Sequence, residues 1–155
     1  MRIKLLFTIL LALVSYSEET IFCIATASMT EKEGYSSMVY EVTNNKGEKV
    51  IINVYVKDSA EITEKDVEKT SIDSSREGVI NILLSEEGGE KMQRLTSKMN
   101  LGHDQLATII EGKLVFYATV QSTLARNFQV SGLNNYTQLE LQELAKKIDS
   151  SAKSK

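Results

Sequence analysis

Along residues 38–56 apolar and polar side chains alternate twice, first with Met38, Tyr40 and Val42 and then with Val50, Ile52, Val54 and Val56. Successive side chains of a strand point to opposite faces, so a period of two predicts strands with one apolar face. Asn44-Asn45-Lys46-Gly47 lies between the two runs and supplies turn chemistry, which joins them as a β-hairpin. Upstream, the apolar and β-branched residues of 20–27 predict a first strand, and 28–36 reads as a polar connection.

Downstream the pattern shortens and then changes period. Thr63 begins a short helix, with Asp66 placed three residues on as in a capping box and Ile62 and Val67 placed as a hydrophobic staple. Residues 71–77 are polar and predict a loop. From 79 to 148 the chain reads strand, helix, hairpin, strand, helix. The run 79–84 is apolar apart from Asn81, as in an interior strand. Ser85 stops it and can cap the next helix, where Met92, Leu95 and Met99 recur at helical spacing. Glu86, Glu87 and Glu90 crowd the start of that helix and Lys98 lies near its end, both favourable to the helix dipole.

Gly102 is placed to close that helix. Gly88 and Gly89 each weaken its first turn by roughly 1 kcal/mol relative to alanine, a cost that a close approach to a neighbouring backbone would explain. Residues 106–110 and 113–120 flank Glu111-Gly112, a second tight hairpin. Phe128 and Val130 mark another strand, ended by Gly132. In the final helix Thr137 and Glu140 form a capping box, Tyr136 and Leu141 a staple, and Leu141, Leu144, Ala145 and Ile148 face the sheet. Residues 150–155 are a polar, basic tail expected to fray. The fold class is α+β, a single domain with a mixed β-sheet and helices packed on one face.

A length of 155 residues allows one domain with a sizeable core. The 42% hydrophobic and 25% charged residues give ordinary globular composition. A formal net charge of -3 supplies no field that would gather nucleic acid. Cys23 is the only cysteine and His103 the only histidine, so no intramolecular disulfide and no multi-histidine metal site can form.

The N-terminus adds a targeting signal. Arg2 and Lys4 precede the apolar run 5–14, the layout of an export leader. Spanning a bilayer takes ~20 apolar residues, and Ser15, Ser17, Glu18 and Glu19 end this run earlier. Two cleavage points compete. One follows Ser17, near the apolar run, and is favoured; the other follows Ala27 and would enclose two glutamates and a second apolar patch. Cys23 admits a lipoprotein reading, against which bulky Phe22 stands where a small residue is expected; the alternative is a buried strand cysteine. The expected divisions are a leader at 1–17, a strand and hairpin at 18–58, the main domain at 59–149 and the tail at 150–155.

Candidate chemistry is sparse. His103 beside Asp104 could be a base with its orienting carboxylate, but sequence neighbours at the mouth of a strand point apart and no nucleophile is indicated. Glu86, Glu87 and Glu90 lack the spacing of a calcium loop, and Gly88-Gly89 lacks the lysine and hydroxyl of a phosphate loop. Asn135-Tyr136-Thr137 is formally a glycosylation sequon, though Thr137 is accounted for as a cap. Met92 and Met99 could offer an adaptable surface for peptides, with core packing as the alternative. Free hairpin edges could accept an extended polypeptide as an added strand. No catalytic, metal or cofactor residue is nominated, and no binding residue is assigned.

Taken in order, several stretches resemble the head subdomain of the first periplasmic region of SecD, a membrane-embedded accessory subunit of the bacterial Sec export machinery. They are Ile62-Thr63-Glu64-Lys65-Asp66-Val67, Val79-Ile80-Asn81-Ile82-Leu83-Leu84, Glu87-Gly88-Gly89 with the helix to Met99, and Asn100-Leu101-Gly102. They continue with the hairpin 106–115, with Val120-Gln121-Ser122-Thr123-Leu124, and with Phe128-Gln129-Val130-Ser131-Gly132 leading into the closing helix. The resemblance covers 62–148. Proline, frequent in that family after the hairpin, is absent from Phe116-Tyr117-Ala118-Thr119, which leaves this segment's conformation open. The sequence also lacks the family's transmembrane helices and most of the base that supports the head.

What the resemblance implies is a free-standing, non-enzymatic exported domain, periplasmic or secreted, without cofactor or nucleic acid. Its expected partners are proteins, either exported polypeptides or Sec translocon components, with at most peripheral membrane contact. The alternative is an adaptor or inhibitor that reuses the fold without a role in translocation.

Overall fold

A computed structural model describes residues 20–154, so the expected leader lies outside the described residues. The first three strands are β1 (Phe22–Ser28), β2 (Tyr35–Thr43) and β3 (Lys49–Lys57). Next come the short β4 (Ile62–Thr63), a 3-10 turn (Glu64–Asp66), β5 (Val67–Ile72), β6 (Ile80–Leu84) and helix α1 (Glu86–Ser97). The chain finishes with β7 (Gln105–Ile110), β8 (Lys113–Thr119), β9 (Asn127–Val130) and helix α2 (Gln138–Lys153).

The α+β class, the single domain and the two long helices expected from the sequence are present, but the strands form two sheets where one was expected. The larger has the order β2-β3-β1-β7-β8, with β4 also pairing with β1; the smaller has the order β5-β6-β9. Every pairing among the described residues is antiparallel, so the crossovers that parallel strands require are not needed.

β1 occupies the middle of the larger sheet. It pairs with β7 from Phe22↔Ile110 to Ala27↔Gln105. On its other side its start pairs with β4 and its end with β3. Phe22 and Ile24 enter a core shared with both helices and the smaller sheet, whereas Cys23, Ala25 and Ala27 enter a second core on the opposite face. Burial on both faces explains why this stretch is apolar without alternation.

The second core is small because the larger sheet curls. Its edge strands β2 and β8 approach one another, and Tyr40 meets Tyr117 edge to face, with centroids 5.2 Å apart and an interplanar angle of 87°, a favoured arrangement for aromatic pairs. Inside the curl Cys23, Ala25, Ala27 and Ala107 leave room for Val54, Val56, Ile109 and Leu114. Residues 116–119, left open by the missing proline, belong to β8.

The helix starts were legible in the sequence. Ser85 accepts a hydrogen bond from Gly88 N (3.1 Å). Thr137 and Glu140 form the expected capping box, and Leu141, Leu144, Ala145 and Ile148 are buried. A Cβ on Gly88 would stand 2.5 Å from the Asp66 carbonyl oxygen, so this glycine answers a close backbone approach; on Gly89 it would strike the Arg126 side chain.

Three expectations change. The helix begun at Thr63 is a single 3-10 turn, although its capping box forms and Thr63 N donates to Asp66 Oδ2 (3.0 Å). After it the chain enters β5, which extends into the stretch read as loop. An irregularity between Val67 and Lys69 breaks the alternation and hides this strand, because Val67 and Thr70 are buried while Glu68 and Lys69 are exposed. At the other end α2 continues through Lys153 instead of fraying after 149. Asp149 Oδ1 accepts from Thr70 N and lies 2.8 Å from the Thr70 hydroxyl, tying the last turns of α2 to β5.

Gly88→Ala should lower stability by about 1–3 kcal/mol in urea unfolding, the range for forcing an added methyl into a filled site, whereas Glu90→Ala on the exposed face should stay within about 0.5 kcal/mol. Asp73, in the turn between β5 and β6, is held down to about 2 by the Ser75 hydroxyl, then Arg76 and the Ser75 amide. Because its folded value is depressed, the turn's contribution is present above the ordinary value of 3.8 and is lost as pH falls through about 2. A carboxyl NMR titration should give a midpoint near 2, and Ser75→Ala should raise it.

A candidate binding cleft between the two sheets

The larger core is open to solvent where the sheets diverge. A cleft of about 320 Å³ lies there, with Leu106, Thr108, Phe116 and Ala118 of the β7-β8 ribbon on one side and Phe128, Gln129 and Val130 of β9 on the other. Ile24 and Met92 reach it from β1 and α1. Among its buried lining residues Thr108 is the only polar one, so the interior offers dispersion and hydrophobic contact with little polar fixation.

The segment after β8 forms the rim, with Gln121 and Ser122 exposed beside the opening. Its ends are anchored. Val120 N donates to Asp104 O and Val120 O accepts from Gly102 N, both at 2.8 Å. Leu124 N donates to Thr96 Oγ1 (2.9 Å), whose own hydroxyl donates to Met92 O (2.9 Å) on α1. Arg126 donates from Nε to Leu84 O (3.0 Å) and from its guanidinium to Glu68, while its chain packs over Gly89.

β9 pairs with β6 on one side. Leu84 N donates to Arg126 O (2.8 Å), which sets the phase of the ladder. Antiparallel strands alternate between bonded and non-bonded positions, so the main-chain groups of Asn127 and Gln129 point away from β6. β9 thus gives the cleft an edge strand as well as side chains.

The other sequence candidates are separated from this place. His103 is exposed in the turn after α1, and Asp104 Oδ2 accepts from Asn100 N (2.8 Å). Of the glutamates near the start of α1, Glu87 pairs with Lys91 and Glu90 with Arg94, each at 3.4 Å, and Glu86 is exposed at the first turn. Thr137 serves in the cap of α2. Met92 is fully buried in the core and also lines the cleft, whereas Met99 packs against the core. Cys23 is buried, and loss of solvent, followed by the nearby charge of Glu64, pushes its thiol up to about 12.

The sequence did not point to this cleft, because its walls come from β1, α1, β7, β8 and β9 and no short motif spans them. The signal that existed was the lip, an exposed polar stretch between two apolar strands.

A family model, the SecDF P1 head subdomain, matches residues 36–152. The chain belongs to this family. The matched segment begins near the start of β2 and is wider than the 62–148 stretch on which the resemblance was drawn, while β1 precedes it. The chain is also similar to a solved structure of SecDF, described as a membrane component that enhances protein export, with 12% identity and a TM-score of 0.56, over 83% of this chain and 62% of that one. A second similar structure is SecDF in a super-membrane-facing form, with 11% identity and a TM-score of 0.59, over 85% of this chain and 19% of that one. No curated protein matches. At these identities the structural likeness speaks to fold, and the P1 head member described here spans less than two thirds of either SecDF chain. Among the described residues no helix is long and apolar enough to cross a membrane.

Thr96→Ala removes the hydroxyl that receives Leu124 N. The expected result is a loss of about 1–3 kcal/mol, the range for an unsatisfied buried donor, with faster hydrogen exchange at Leu124 than at the β1 amides.

Proposed function

We propose that this P1 head domain is exported, is not an enzyme, and holds an extended segment of another polypeptide in the cleft between β8 and β9 during Sec-dependent protein export. The observation that carries the reading is the pairing of an apolar slot with an edge strand whose free main-chain groups border it. Such an edge can bond any extended chain through its backbone, while the slot takes an apolar side chain with little regard to its identity. This suits a partner that must be held regardless of sequence.

Family membership supports the link to Sec. The charged and apolar layout at 2–14 supports export to the periplasm or beyond. Asp104, Glu87 and Glu90 are engaged in a turn hydrogen bond and ion pairs, and His103 is exposed in a turn away from the cleft, which supports a binding role over bond making.

A photocrosslinker at Ser122 should capture an unfolded exported precursor supplied in solution. Ala118→Trp, which fills the slot, should weaken capture at least tenfold while leaving the unfolding midpoint unchanged. Absence of capture by a folded protein, or capture unaffected by the filled slot, would overturn this assignment. Loss of every Sec-dependent contact with retention of another envelope protein would favour the adaptor reading.

A further inference from the structure

We propose that leader removal ends on the N-terminal side of Thr20 and that Cys23 passes into the mature protein as an unmodified thiol. The proposal rests on the reading that the chain is exported, and it decides between the two cleavage points that the sequence leaves open. Cleavage here is hydrolysis of one peptide bond, with water supplying a hydroxyl to the new carboxyl end and a proton to the new amino end.

The deciding observation is the place of β1. Phe22 and Ala25 are 0% exposed, Cys23 1% and Ile24 3%. The strand pairs with β7 over six positions and has β3 and β4 on its other side. Just before it, Ile21 O accepts from Glu111 N (2.9 Å), so the ordered framework reaches back to the second hairpin turn.

A cut after Ala27 would take out the middle of the sheet. It would leave β7 with one free edge inside the molecule, strip Phe22 and Ile24 from the larger core, and strip Cys23 and Ala25 from the smaller one. Removing one buried Phe alone takes a large share of the small margin by which a domain stays folded, and this cut would remove several buried residues at once. A cut after Ser17 leaves all of these residues in place.

Lipidation fails on the same geometry. A lipoprotein cysteine is the first residue of the mature chain and carries acyl groups into a membrane, whereas Cys23 is a mid-strand residue with its side chain in the curl beside Ala25 and Ala107. Neither a new chain end nor an acyl chain fits there.

The full chain with a C-terminal tag, expressed in a bacterium, should be recovered from the periplasm or medium with an intact mass that starts at Glu18, Glu19 or Thr20 and carries no acyl group. A folded product starting at Ser28, or a mass showing acylated Cys23, would overturn the proposal while leaving export intact. Recovery only as uncut chain would overturn the cleavage. Cytosolic retention would instead overturn the export reading, and a second measurement then judges the boundary alone. Chains made without a leader from Glu18 and from Ser28 should differ, the first unfolding cooperatively and the second showing no cooperative transition; equal midpoints would refute the proposal.

Discussion

Burial of β1 on both faces is the constraint on which the rest of the structure depends. A strand with one solvated face can tolerate exchange of its outward residues, but this one has a core above and a core below. Its hydrogen bonds bring together β7, β3 and β4, which lie far from it in sequence. Each of these pairings closes a long loop, so the native sheet depends on contacts whose entropy cost is met only when both cores are filled. The small side chains of β1 on one face and the large ones on the other then determine where the sheet curls and where the helices and second sheet rest.

The cleft follows from this asymmetry. The curl brings β2 against β8 on one side, while on the other side the smaller sheet packs on the core shared with β1 and β7 and leaves the outer edge of β9 without a strand partner. The lip of the opening is tied at Val120 to the turn after α1, at Leu124 to α1 and at Arg126 to β6. A surface made in this way is apolar in its interior and bordered by the main-chain groups of an edge strand.

Charged side chains serve the frame. Asp66 takes Thr63 N and Lys91, and its carbonyl receives Ser85 N, so one residue joins the 3-10 turn to the start of α1. Arg126 does the corresponding work between β6, β5 and α1, where Gly89 gives its side chain room. The glycine pair that weakens α1 as an isolated helix is therefore the condition for packing this helix end against two neighbours. Local propensity yields here because tertiary contact outweighs about 1 kcal/mol per glycine.

The sequence alone determined what rests on short-range chemistry. Period-two alternation marked β2 and β3, Glu111-Gly112 marked the turn between β7 and β8, where Glu111 takes φ 49° and Gly112 φ 76°, and capping residues at Ser85 and Thr137 marked both helix starts. It missed β5, whose irregularity hides the period, and it ended α2 early because the tie between Asp149 and Thr70 joins residues distant in the chain. Only the tertiary structure divided the strands into two sheets and opened a cleft whose walls come from five separate elements. The physical reason is common to both: side-chain alternation and caps act over a few residues, whereas strand neighbours and clefts are decided by how two faces of one strand are covered at once.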